Sequence, residues 1–395
     1  MRIRGFCIAL LLLMLVPPAQ AHTRGEVRDR YAAISAWSEG ALYAPQPSVS
    51  APYAPGDVRP DALEDALNYI NFFRWLAGLE PVELDDRLND IAQYGAVLQA
   101  ANDAVSHDPA RPSDMPSDFF EKARYASRSS NIAKLNWMSD GVLRDAVEHF
   151  ARDGGDANLA ALGHRRWLLN PRMARTGLGL ASAASGVSYI AMYAHDMQAE
   201  PGDWDYVAWP GAGAFPAEFL APELAWSIVL NPEKYAIGDV RVAVTDLGTG
   251  EVYRFPGEGG YFRIDEGNYG AGPCLIFRPD APGDYVQNQR FRVEVAGLLG
   301  PKIRYEVGMI SLYPIAPASV EVSPRALELA AGESAALSAA VFPAWADDLS
   351  VRWESADPSV ATVEGGTVAA VSAGSCEVFA VAANGRRDAC LVTVR

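Results

Sequence analysis

The chain has 395 residues, half of them hydrophobic, and a formal net charge of −16. That length exceeds what one compact core holds and predicts two or three domains, while the apolar fraction excludes a disordered chain. So acidic a surface repels nucleic acid and anionic lipid, which argues against both as partners.

The first residues read as an address. Arg2 and Arg4 precede an apolar run from Phe6 to Val16, and Ala19-Gln20-Ala21 is a small-residue cleavage site. The run is too short to span a bilayer, so residues 1–21 are expected to be a cleaved export leader, with the mature chain secreted or held at a cell surface. Residues 22–60 carry scattered prolines (Pro45, Pro47, Pro52, Pro55, Pro60) and read as an arm or linker, with a short helix near Arg28 to Trp37.

From Asp61 the period becomes helical. Leu63, Leu67, Ile70 and Leu76 recur at helical spacing, with Asp61 as the expected cap and Gly78 as the stop. A second helix runs from Asp85 and ends near Ser106-His107-Asp108-Pro109. A third covers Phe119 to Ala126, and a fourth Val142 to Ala151. A Gly-Asp loop, 153–156, leads to Gly163-His164-Arg165-Arg166-Trp167-Leu168-Leu169-Asn170-Pro171. Helical spacing sets His164 on one face with Trp167 and Leu168. The residue before a proline leaves helical geometry, so this helix ends near Asn170. Residues 177–181 and 187–193 then alternate and predict a hairpin turning at Ser185-Gly186.

The order Asn71-x-x-Arg74-x-x-x-Gly78-Leu79, Ser106-His107, Asn131-Ile132-Ala133, Gly163-His164-Arg165, Asn170-Pro171 and Gly177-x-Gly179 resembles the bacterial SCP-like branch of the CAP superfamily. The resemblance covers about residues 61–200. It implies an α-β-α sandwich in which two histidines and two acids line a cavity. Carried over by position, the histidines are His107 and His164. Ser130 stands in place of the first acid, before Asn131, and Asp153 in place of the second, with Phe150 where a tryptophan is usual. Arg165 is a candidate to hold an acid at the cavity mouth.

Residues 205–315 alternate between turn sequences and predict a β-sandwich. Residues 318–395 form another all-β unit, in which Trp353-Glu354-Ser355 and Asp357-Pro358-Ser359-Val360-Ala361 resemble the group 2 bacterial Ig-like domain, implying a spacer or adhesion module. Cys376 and Cys390 lie on consecutive strands and either pair or remain as two buried thiols. The expected fold class is therefore multidomain: a CAP sandwich followed by two β-sandwiches.

Imidazole is the commonest protein ligand for zinc, so His107 and His164 are candidate metal ligands, with a divalent ion such as zinc as the possible cofactor. One matched acid leaves that set short. Ser106 adjoins His107, and a Ser-His-Asp arrangement of Ser130 with His107 or His164 and Asp153 can be imagined, but neither serine lies in a Gly-x-Ser-x-Gly elbow. Arg165 and Arg166 would ordinarily make a solvated face, and His149 and His195 surface or packing residues. The function expected is a non-enzymatic binding module for a small molecule, lipid or envelope component. The alternatives are a metal-assisted hydrolase of peptide or wall polymer, and a purely structural module.

Overall fold

The computed structural model describes residues 21–395 apart from 37, 137, 138, 201, 268, 281 and 282. Apart from Ala21, the stretch expected to be an export leader lies outside the described residues. Helix α1 (Arg24–Ser35) starts at Thr23, whose hydroxyl and Glu26 form a reciprocal capping box. It falls in the stretch read as an arm, yet it buries Val27 in the main core.

Helix α2 (Pro60–Leu76) begins at Arg59 without a side-chain cap, because Pro60 at the first helical position needs no N–H partner. Asp61, expected as the cap, sits one residue inside the helix, accepts the Ala62 N–H and pairs with Arg59. The helix stops at Gly78, which takes φ +74°. Strand β1 (Glu83–Leu84) precedes α3 (Asp86–Asn102), where Asp85 does cap, accepting the Leu88 N–H. Then follow α4 (Ser117–Ser129), β2 (Ser130–Leu135), α5 (Val142–Arg152), α6 (Asp156–Leu159) and α7 (Gly163–Leu168). Next come β3 (Arg175–Thr176), parallel to β1, and the hairpin β4 (Leu178–Ser182) and β5 (Ser188–Tyr193).

Strands β2, β5 and β4 form one antiparallel sheet in that order. Successive residues point to opposite faces. Ile132, Ala181, Tyr189 and Ala191 meet α3, while Ala133, Leu180, Ile190 and Met192 meet the core shared with α2 and α5. This is the α-β-α sandwich. Gly177 and Gly179 let α3 lie directly on the sheet: a Cβ at Gly177 would sit 2.1 Å from the Leu88 carbonyl carbon, and one at Gly179 2.4 Å from that of Ala92.

The next nine strands are β6 (Tyr206–Trp209), β7 (Gly213–Pro216), β8 (Trp226–Leu230), β9 (Arg241–Asp246), β10 (Val252–Phe255), β11 (Gly260–Asp265), β12 (Cys274–Pro279), β13 (Arg290–Ala296) and β14 (Ile303–Ile310). They form a five-stranded sheet, β10-β9-β13-β14-β7, and a four-stranded one, β11-β12-β8-β6. Their apolar faces join the core of the helical part without a break, from Val27 to Leu312. Phe73 of α2 packs 5.7 Å from Trp209 and 4.8 Å from Phe219, ring centre to ring centre. The middle sandwich is thus fused to the helical part through aromatic packing.

Strands between residues 319 and 394 enclose a separate core, including Val320, Val378 and Val392. The three described cysteines are free and buried. The register explains why Cys376 and Cys390 stay unpaired: Cys376 faces Val392 and Cys390 faces Val378, so the thiols sit on different rows. Among the described residues no helix is long and apolar enough to cross a membrane.

Candidate functional site

Three connections built from backbone upward converge on one cavity. The loop after α3 is held by a reciprocal pair, Gln99 Nε2 to Ser106 O and Ser106 N to Gln99 Oε1, each 2.8 Å. This presents His107, whose Nδ1 donates to the Ser127 carbonyl at 2.7 Å. Helix α5 ends at Asp153 in left-handed geometry, φ 45°, a conformation Asp tolerates. Its carboxylate accepts from His164 Nδ1 at 2.9 Å and from the Arg165 backbone N–H at 3.1 Å. On β2, Asn131 Nδ2 donates to the His164 carbonyl at 2.8 Å.

Both histidines therefore use Nδ1 as a donor, because a carbonyl and a carboxylate only accept. In the neutral ring the lone pair is then on Nε2. His107, His164 and His195 all line a cavity of about 940 Å³, with Ser130, Asn131, Trp167 and, from the middle sandwich, Tyr269. His195 packs against Trp167 with ring centres 4.4 Å apart and planes tilted by 39°, and burial, reinforced by His107, pushes its pKa below the usual imidazole value. The Ser130 hydroxyl is buried without a hydrogen-bond partner. Among the described lining residues there is no Asp or Glu, and Arg128 contributes a cation to the wall.

Other sequence candidates lie elsewhere. Asp153 stands behind His164, with its side chain shut from solvent. Arg165 is not in the cavity wall. Its buried guanidinium donates to the carbonyls of Ala151, Arg152 and Ala225 and to Ser227 Oγ, tying α5 to β8. Arg166, expected in a solvated face, is buried too. It pairs with Asp265 and donates to Gly267 O at 3.0 Å and Gly272 O at 2.8 Å, which fixes the loop carrying Tyr269. Gly163 and Gly270 permit that approach: a Cβ would lie 3.0 Å from the Tyr269 ring at the first and 2.5 Å from the Arg166 carbonyl oxygen at the second. His22 stacks on Trp75 and is structural.

Three imidazoles, those of His107, His164 and His195, line the cavity, Ser130 replaces the usual acid, and the one matched acid is engaged behind His164. Among the described residues no group of three or more His, Cys, Asp or Glu side chains is placed to hold an ion. The donor set does not fit a zinc site of three or four protein ligands.

Sequence reasoning missed His195, Trp167 and Tyr269 as wall residues. Trp167 was within reach, being on the His164 face. Tyr269 carried no local signal, since only the docking of two sheets brings it there.

Comparison with known proteins agrees with this architecture. Residues 67–193 match the model of the cysteine-rich secretory protein (CAP) family, and residues 316–392 that of the bacterial Ig-like domain, group 2. At the level of these families the chain is an extracellular or binding protein. No curated protein matches it. Among solved structures, domains 4 and 5 of the S-layer protein SbsC are 15% identical, over 41% of this chain and 77% of that one, with a TM-score of 0.20. A C-terminal intimin fragment in complex with the intimin-binding domain of its receptor is 14% identical over 46% of this chain and 61% of that one, with a TM-score of 0.15. DIP-gamma IG1+IG2 is 10% identical over 49% and 98%, with a TM-score of 0.23.

Proposed function

We propose that this chain is a non-catalytic extracellular binding protein that holds a polyhydroxylated ligand, a saccharide or a wall fragment carrying one, between its CAP domain and its middle sandwich. The carrying observation is the wall chemistry of the 940 Å³ cavity: imidazole, hydroxyl, amide and one guanidinium group share it with the Trp167 and Tyr269 rings, and no carboxylate is among the described lining residues. Imidazole Nε2 atoms accept from sugar hydroxyls, Ser130 supplies an uncommitted hydroxyl, and aromatic faces cover the apolar faces of a ring. The volume is within the ordinary range for a small-ligand pocket. A lipid tail is less well served, because the wall is mixed rather than apolar.

Isothermal titration of the full chain against soluble wall saccharides tests this reading. Trp167→Ala and Ser130→Ala are expected to weaken binding about tenfold or more, an amount equal to ~1.4 kcal/mol. No heat with any saccharide, together with binding of an acyl lipid, would replace the ligand class.

A second reading, a metal-assisted hydrolase of peptide or wall polymer, is favoured by one observation, the Asp153–His164 pair, which orients the ring as ligating histidines require. The short donor set weighs against it. Stoichiometric zinc in the purified protein, lost in His107→Ala, would favour it over the binding role.

A further inference from the structure

The outer face of the five-stranded sheet carries a furrow of about 870 Å³ that shares no lining residue with the histidine cavity. Strand alternation sends Val242 and Val295 inward and leaves Arg241, Ala243 and Glu294 outward. The register then aligns one outward row across four strands: Arg254 opposite Ala243, Ala243 opposite Glu294, Glu294 opposite Arg304. In the adjacent row Arg241 faces Ala296, with Lys302 just before β14. Ala243, Ala296 and Gly297 form a low floor between these longer side chains.

The charge of this furrow opposes that of the chain. Arg241, Arg254, Lys302 and Arg304 line it against a single carboxylate, Glu294, whereas the whole sequence has 49 acids to 33 lysines and arginines. All four cations are exposed. Arg304 pairs with Glu294 at 3.5 Å and Arg241 with Asp239, but Arg254 and Lys302 make no ion pair among the described residues. A merely solvated face on so acidic a chain would have its cations matched by neighbouring carboxylates, and two of these four are not. The repulsion expected from the net charge is long-ranged and is screened beyond about 8 Å at physiological ionic strength, so it does not cancel a local cluster.

The geometry points to this furrow as a binding site for a flexible single-chain polyanion, a polymer other than nucleic acid that bears a carboxylate or phosphate on each repeat. The row from Arg254 to Arg304 crosses three inter-strand gaps, roughly 14 Å, which accommodates two or three charged repeats. Arginine meets either group through two parallel N–H donors, and the small-residue floor leaves room for the polymer backbone. The proposal is independent of the cavity reading, since it uses none of the same residues.

The test is biolayer interferometry on the full chain at low salt. The probes are polygalacturonate for carboxylates, inorganic polyphosphate for phosphates, dextran as a neutral chain, and duplex DNA. The site predicts binding of one or both acidic polymers, none of dextran, and loss of binding in high salt. The Arg254→Glu/Lys302→Glu variant should bind at least tenfold more weakly. Reversing two exposed arginines of the C-terminal unit, Arg325→Glu/Arg352→Glu, should stay within twofold of wild type. Binding of only one acidic polymer supports the site and assigns the group it prefers. Absence of binding to both, equal binding by the furrow variant with an unchanged circular dichroism spectrum, or duplex DNA binding as tightly as the acidic polymers would each overturn it.

Discussion

Nδ1 of His164 lies 2.9 Å from Oδ1 of Asp153, whose side chain has no exposure to solvent. The other carboxylate oxygen holds the Arg165 backbone N–H at 3.1 Å. One acid therefore fixes the ring that faces the cavity and the first turn of the helix that carries it. Asp153→Asn tolerates the left-handed backbone and keeps one acceptor, but removes the charge. It should cost about 2–3 kcal/mol, the loss expected for a buried charged hydrogen bond, and more than Phe150→Leu. Urea unfolding measures it; an unchanged midpoint would mean that His164 is held by its packing on Phe150 instead.

Arg166 joins the two halves of the cavity, since its guanidinium pairs with buried Asp265 while donating to carbonyls on both sides of Tyr269. Arg166→Ala leaves buried Asp265 with only the 4.0 Å contact to Arg263 and the Gly267 N–H, a loss of about 3 kcal/mol. Arg166→Lys keeps the charge but loses the fork, so it should recover only part of this. Limited proteolysis is the sharper readout. Cleavage between residues 265 and 272 should appear in both variants, strongest in Ala, and a protected loop in Arg166→Ala would refute the link.

What was legible in the sequence were features that repeat locally. The periods of α2, α3 and α5 are written in apolar spacing, and the β4–β5 hairpin in alternation with a turn at Ser185-Gly186. His107 and His164 were reachable because each sits in a short motif at the end of a helix. What was not legible depends on packing between distant segments. Arg165 and Arg166 look like a solvated pair, but their guanidinium groups satisfy carbonyls that the middle sandwich delivers more than fifty residues later. Tyr269 and the charge row from Arg254 to Arg304 exist only once sheet docking and register are set.

Gly179 sits where β4 touches α3, and a methyl group there would lie 2.4 Å from backbone atoms of Ala92 and Gln93. Neither backbone can yield without shifting the helix off the sheet. Gly179→Ala is expected to destabilise by about 3 kcal/mol or more, above the usual range for an added methylene. Gly186→Ala, with open space around it but φ +84°, should cost only the roughly 1–2 kcal/mol of left-handed backbone. Thermal unfolding of the pair separates steric from conformational cost; equal melting points would remove the close-approach explanation.

Asp347 anchors the C-terminal unit to the rest. Its Oδ1 accepts from Arg24 at 3.1 Å, Arg28 at 3.0 Å and Gln287 at 3.1 Å, while Oδ2 accepts the Ile315 N–H at 2.7 Å. Partial burial raises its pKa, but the hydrogen bonds from Arg28, Ile315 and Gln287 outweigh it and hold the carboxyl below its ordinary value. A carboxyl with a depressed folded-state pKa contributes its stabilisation in full above the unfolded value, near 3.9, and loses it as the pH falls through the folded value. At pH 7 Asp347→Asn should therefore be less stable than wild type by about 2 kcal/mol, since an amide accepts from the arginines without charge. Below about pH 4 the difference should shrink, because the unfolded wild type takes up its proton first, and it should approach zero once the folded carboxyl is protonated too. Urea titrations of both proteins at pH 7, 5 and 3 measure the gap. A difference that stays constant across the three would show that shape, rather than charge, makes this anchor.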